Sequence, residues 1–490
     1  MVIGPSVPVQ RGSFRLALYS LLVVELFSGV LQVYFVPLYP ALAARFGVGT
    51  GTVSWGLIAF TLPQAIFTPL FAKLGDVYGH RRILRVLVGC VAAGCVLIAA
   101  APTFGVLILG RVLQGMFPAY LPLMFGVIRD RFPGDPTRRA IAYLSGILLF
   151  GVVAGLVATG FLVRAAGGPA WALWLPAAGT LLGFVLLWAI PGAAFQRPAG
   201  ARVDWPGVTL FGLGLAGVLL ALSQGPAWGW ASGRILGVLI AGAAVLAIWV
   251  VVELRVREPM VDLRYVFRGR LPAVYVVALG TYAAGVGTQV ANSTFLALPG
   301  NKLGYGFGLG ALDISLALVP GVAVAAVAAS LTARLGRLLG YPWTMAAGAV
   351  FVCLGYAGLV FFHATLPEFI ICGAVAYAGF GGIEGSTRTI VVENLRPEET
   401  SIGSGIYEQS TIVGAAVGAA VITAVLTANV SAQLHVVTRN GFQAVWAMAA
   451  LFGLIAAAAG IGFALREGRR HVTAIPEARA AAARGPQAAR

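Results

Sequence analysis

Charge is scarce in this sequence: 10% of its 490 residues are Asp, Glu, Lys or Arg, against about 25% in an ordinary soluble domain. That scarcity, with a mean hydropathy of +0.91, excludes a soluble globule. Cysteine is scarcer still. The four thiols (Cys90, Cys95, Cys353, Cys372) all fall inside apolar runs, which excludes a disulfide framework and argues against a zinc site. Catalytic signatures are missing too. The chain has no His-Glu-x-x-His, Gly-x-Ser-x-Gly or phosphate loop, so a membrane-embedded enzyme is a remote alternative. Without a nucleotide-binding domain, a primary pump would need one on a separate subunit. Strictly alternating strands of about 10 residues are also missing, which excludes a transmembrane barrel.

What is present is long apolar runs. They fall at about 14–37, 53–71, 84–102, 104–127, 140–163, 171–190, 205–222, 233–252, 271–291, 311–330, 343–362, 368–391, 402–427 and 442–465. Crossing a bilayer as a helix takes roughly 20 apolar residues, so the pattern predicts an all-α polytopic membrane protein of about 14 spans. The first run contains Glu25 and no small-residue cleavage site, and it reads as a retained span. The great majority of the 33 lysines and arginines fall in the connections of one side. By the positive-inside rule this predicts that both termini lie in the cytoplasm. The net charge of +16 therefore reports orientation in a cell membrane, not a nucleic-acid partner.

Five segments follow: a cytoplasmic tail (1–13), a bundle of six helices (14–190), a linker with two extra spans (191–270), a second bundle of six (271–465) and a basic tail (466–490). Both tails are expected to be disordered. Trp228-Gly229-Trp230 reads as a tight connection at the membrane interface. Pro37, Pro40, Pro63, Pro69, Pro118 and Pro122 are expected to bend their spans.

The most informative stretch is Ala72 to Leu84, AKLGDVYGHRRIL, a short charged connection between spans 2 and 3. It resembles the signature of the major facilitator superfamily through Leu74, Gly75, Asp76, Gly79, Arg81 and Leu84, and departs from it at Ala72, Val77 and His80. The central segments VDWPGVTLFGLG and VVELRVREPMVDLRYVF are similar to the fourteen-span drug:proton antiporter branch. The resemblance implies two six-helix bundles with a ligand site between them near the midplane. It also implies a gating role for Gly75, Asp76, Gly79 and Arg81, a latch that holds the inward face shut in one state.

Charges buried in lipid are functional candidates by default. Arg111 sits in GRVLQGMFPA with Gln114 and Gly115 in register, matching a family motif implicated in proton handling. A fixed cation there lowers the proton affinity of a nearby carboxylate. The acid usual in span 1 is replaced by Leu31-Gln32-Val33. Glu25 is a candidate substitute, six residues earlier. Glu384 and Arg388 stand four apart on one helical face in the favourable order for an ion pair. Glu408 lies inside span 13 beside Tyr407 and Gln409. Gln32, Tyr34, Gln114 and Tyr407 are candidates for the cavity wall. In span 5, Gly146, Gly151, Gly155 and Gly160 form a bare face for close packing, and Leu156 stands where the antiporter pattern has proline.

These features predict a monomeric, proton-coupled exporter of a small apolar or amphipathic compound. The proton gradient serves in place of a cofactor, and no metal is needed. An uptake symporter and an exporter of lipid-like molecules use the same fold and stay open as alternatives.

Overall fold

The computed structural model describes residues 11–131, 135–190, 203–256, 259, 263–266, 271–393, 400–431, 434 and 436–483. The architecture is helical. Among the described residues, the lone strand-like pairing is a bridge between Val430 and Val437.

Six helices form the first bundle: α1 (Arg11–Val33), α2 (Trp55–Tyr78), α3 (His80–Ala99), α4 (Phe104–Gln114), α5 (Asp135–Ala166) and α6 (Ala170–Ala189). Two follow as a hairpin, α7 (Trp205–Trp228) and α8 (Gly233–Glu253). The second bundle holds α9 (Leu271–Gly287), α10 (Ala311–Leu339), α11 (Tyr341–Phe361), α12 (Leu366–Glu393), α13 (Thr400–Ala428) and α14 (Arg439–Ala483). Among the described residues, 13 segments are long and apolar enough to cross a membrane. In α5 the corresponding apolar stretch is the shorter Phe150–Ala166.

The prolines act unevenly. Around Pro37 and Pro40 the first span breaks into a 3-10 turn (Val36–Leu38) and resumes as a helix at Tyr39–Phe46. Around Pro118 the fourth breaks at Phe117–Ala119 and resumes at Tyr120–Arg131. Pro63 and Pro69 leave α2 continuous. A break that no proline announces falls in the ninth span, where α9 ends at Gly287 and the helix restarts at Gln289–Ala297. There the Thr288 hydroxyl donates to the Ala284 carbonyl, 3.0 Å away, and competes with the helical ladder. The final helix corrects the expectation of a disordered carboxy-terminal tail as far as Ala483. Its alanines and arginines are strong helix formers.

Lipid tails are as apolar as leucine, so helices in a membrane associate through close packing. Glycine supplies it here. A Cβ on Gly155 would come within 2.8 Å of the Val30 Cα, and Gly151 abuts Leu26, so α5 lies directly on α1. Gly160 instead faces Leu312 and Ser315 of α10, in the other bundle. The surroundings of Gly146 lie outside the described side chains. The α7–α8 hairpin closes at Gly229, whose φ of +82° suits glycine. Gly214 and Gly217 admit Leu246 and Gly242 across the pair. Asp204 caps α7 by accepting the Gly207 amide at 2.9 Å.

Each bundle has its own core. Tyr34, Leu38, Tyr120 and Leu123 are buried in the first, and Phe295, Phe369, Phe442 and Trp446 in the second. A third, smaller core joins them along one edge. Phe211, Leu215 and Leu219 of α7 pack on Ala65 of α2 and on Ile412 and Ala416 of α13. The extra hairpin thus backs the seam between the bundles.

Candidate functional site

The bundles meet at one end and part at the other. At the end carrying Gly51 and Gly160 they touch: a Cβ on Gly51 would lie 2.5 Å from the Thr427 hydroxyl, and one on Gly160 2.7 Å from the Leu312 Cα. Midway, Gln409 of α13 donates to the Ala65 carbonyl of α2. At the other end, the one with the basic connections, Asp76 and Arg388 have side chains 58% and 53% exposed. Between the ends lies a cavity of about 340 Å³ shared by both bundles, within the usual range for a small-molecule site.

Its lining is largely apolar, with five aromatic rings. Phe60 and Phe117 come from the first bundle, and Tyr282, Tyr377 and Phe380 from the second. Three amides, Gln32, Gln64 and Gln289, reach the same space. Glu384 is the one charged residue among the lining residues.

Glu384 anchors a cluster at the wide end. Arg388 of the same helix approaches its Oε1 at 2.6 Å. The hydroxyls of Tyr282 and Tyr407 donate to its Oε2 at 3.0 and 2.9 Å. Arg388 also donates to Glu408 Oε1 of α13 at 2.9 Å. One cation is therefore shared by two carboxylates from two helices. Glu384 accepts three donors, while among the described residues Arg388 is the one side-chain donor to Glu408. The helical spacing of Glu384 and Arg388 foreshadows their pair. The arrival of Glu408 and Tyr282 is tertiary.

Arg111 occupies a different place. It is buried, and its Nε donates to the Gly56 carbonyl at 3.0 Å. Its Nη1 donates to Gln114 Oε1, and the Gln114 amide donates in turn to Tyr34 Oη at 2.9 Å. The guanidinium lies over the rings of Phe35 and Phe60, 4.2 and 3.9 Å from their centroids. No carboxylate is among these contacts, unlike the nearby acid that the sequence suggested. Tyr34 and Gln114 belong to this buried network and Tyr407 to the Glu384 cluster. Of the four candidate wall residues, Gln32 lines the cavity. Glu25 lies buried within the first bundle, outside the cavity lining, and its Oε2 has no hydrogen-bond partner among the described residues.

The connection between α2 and α3 turns at Gly79 with φ +96°. Asp76, on the last turn of α2, meets His80 Nε2 at 3.1 Å. The His80 ring is seated against Gly75 and Gly126, where a Cβ would collide with it. Histidine thus fits where the signature has arginine because two glycines make room. Arg81 follows on the first turn of α3.

Residues 21–202 match the Major Facilitator Superfamily. That match covers most of the first bundle. Over the fold as a whole it is similar to the nucleoside transporter NupG, with a TM-score of 0.62 at 13% identity, covering 93% of this chain and 99% of that one. Among curated relatives, it is 26% identical over 295 residues to the lincomycin resistance protein LmrB of Listeria monocytogenes, covering 59% of this chain. The chain spans 60% of the length of that relative. It is 30% identical over 388 residues to the probable actinorhodin transporter of Streptomyces coelicolor, covering 75% of this chain and 64% of that protein.

A second polar cluster sits at the closed end, between α11 and α12. His363 Nδ1 donates to the Leu359 carbonyl at 3.0 Å, and its Nε2 accepts from Arg439 Nε at 3.1 Å. That pairing requires the neutral ring. Burial first, and then the Arg439 charge, hold the His363 pKa below its ordinary value of 6.5, with Glu368 opposing. An unfolded chain protonates this histidine more readily than the folded one. Its stability contribution is therefore complete above about pH 6.5 and declines as pH falls through that value. Melting curves of the purified protein from pH 7.5 to 5 should show this fall, and His363→Gln should flatten it.

Proposed function

We propose that this chain is a proton-driven secondary transporter that exports a small apolar or amphipathic molecule across the plasma membrane by alternating access. The observation that carries the reading is the cavity shared by two bundles, with a carboxylate–arginine–carboxylate cluster at its open end. The basic connections mark that end as cytoplasmic, which gives an inward-open state with both termini inside. The names of two relatives, a lincomycin resistance protein and a probable actinorhodin transporter, support export as the direction. The working unit is a monomer, since a single chain supplies both bundles, and the proton gradient takes the place of a cofactor.

The cluster's charges suggest the coupling step. With both glutamates ionised it carries one net negative charge, and one proton makes it neutral. Glu384 is occupied by two tyrosine hydroxyls and Arg388, so the proton belongs on Glu408, whose side chain is 45% exposed at the opening. A neutral cluster can be enclosed as the bundles swing, whereas a net charge enclosed in a low-dielectric path is expensive. The empty carrier therefore returns with its proton and releases it inside. Cargo that contacts both bundles offsets the cost for the loaded, deprotonated carrier. Glu25 and Arg111 support the first bundle in this scheme and leave proton exchange to the second.

The turn at Gly75, Asp76, Gly79 and Arg81 acts as the latch of the inward-closed state. In the open state Asp76 engages His80 of its own turn. Asp76→Asn should slow turnover several-fold while the melting temperature holds. Unchanged turnover would remove the latch. The export reading is tested in cells expressing the protein, by following efflux of candidate compounds with and without a protonophore. Efflux that stops when the gradient collapses supports it, and efflux that continues contradicts proton driving.

A further inference from the structure

We propose that the cavity selects planar aromatic cargo of no net charge, gripped between an aromatic wall from each bundle. The inference rests on the transport reading and names its substrate class. In the first bundle, Phe60 and Phe117 stack with centroids 5.4 Å apart and planes 9° from parallel. Arg111 lies over the Phe60 ring, 3.9 Å from its centroid, and over that of Phe35, 4.2 Å away. Arg111 is fixed by Gly56 and Gln114, so Phe60 rests on a held cation while Phe60 and Phe117 both line the cavity.

The opposite wall is held as firmly. Phe380 lies 5.9 Å from both Tyr377 and Tyr282. Its ring fills the space that a side chain on Gly285 would need, and Tyr377 sits over Gly321. Both walls are in position before cargo arrives, so little ordering is needed on binding. Aromatic rings favour offset-stacked and edge-to-face partners, and the two walls offer both geometries.

Charge and size narrow the class further. No lysine or arginine lines the cavity, so an anion finds no cationic partner in the lining. The one lining carboxylate, Glu384, is already met by Arg388 and two tyrosine hydroxyls, so a cation finds no unpaired carboxylate in the lining. Gln32, Gln64 and Gln289 can donate to and accept from carbonyl and hydroxyl groups on a flat rim. A cavity of about 150 Å³ accommodates benzene. One of about 340 Å³ suits a few fused rings.

The test is binding to the purified full chain in lipid nanodiscs, without any gradient. The probes are quinizarin (planar, uncharged), ethidium (planar, cationic), an anthraquinone sulfonate (planar, anionic) and adamantanol (compact, non-planar). Quinizarin should bind about tenfold more tightly than the other three. Phe117→Leu and Phe380→Leu keep apolar bulk and should each weaken quinizarin three- to tenfold, the range expected of an aromatic pair. Phe117→Tyr and Phe380→Tyr keep the ring and should retain binding. Equal affinity for ethidium or adamantanol, or leucine variants that bind like the parent, would overturn the proposal. Quinizarin binding without proton-driven efflux would sink the transport reading alone. Proton-driven efflux of another compound, with no quinizarin binding, would sink the cargo class alone.

Discussion

Glu408→Gln is expected to abolish gradient-driven accumulation of cargo while leaving cargo-for-cargo exchange intact. The substitution keeps size and hydrogen-bonding capacity, so Arg388 retains an acceptor at that position and still holds Glu384. What is lost is the group that gains and loses a proton. The cluster is then permanently neutral, and the bundles swing whether or not a proton is available. A proton moving through 100 mV supplies about 2.3 kcal/mol. At about 1.4 kcal/mol per decade, one proton per cargo sustains roughly a 50-fold concentration ratio. Proteoliposomes with an imposed gradient should show about that ratio for the parent and none for the variant, with similar exchange rates. Accumulation by the variant at the parent's level would move proton exchange elsewhere, with buried Glu25 the next candidate.

Arg111→Leu should produce the largest loss of stability. The guanidinium serves the Gly56 carbonyl, the Gln114 amide and two aromatic faces at once, all of them buried. Leucine removes the charged donor from two buried acceptors, at about 1–3 kcal/mol each. It also removes a desolvated cation stacked on rings, worth about 2 kcal/mol. Together these amount to on the order of 4–8 kcal/mol, and the first bundle should melt well below the parent. Arg111→Lys keeps the charge without the planar fork and should recover part of the loss. Melting followed by tryptophan fluorescence in detergent reads both. A variant that melts like the parent but does not transport would assign Arg111 to proton or cargo handling instead of support.

The spans were legible because a bilayer demands long apolar helices and the sequence spells them out. So was the pairing of Glu384 with Arg388, since four residues bring two side chains to one face. Arg111 declared itself as a charge in an apolar run, but its partners did not, because a carbonyl and two rings leave no mark in the sequence. The cavity wall was harder still. Phe60, Phe117, Tyr282, Tyr377 and Phe380 sit in helices that are apolar on every side, so periodicity cannot separate the face towards cargo from the face towards lipid. The break after Gly287 and the joining of Glu408 to Arg388 depend on contacts between distant segments.

Cargo-driven proton movement tests the central claim most directly. The parent protein and the Glu384→Gln/Glu408→Gln double variant are reconstituted with a pH-sensitive dye in the lumen, and quinizarin is added to the cytoplasmic face. Proton movement opposite to the cargo with the parent, and none with the double variant, is the result expected of two bundles that trade one proton at this cluster for each cargo molecule. Undiminished proton movement in the double variant would contradict it.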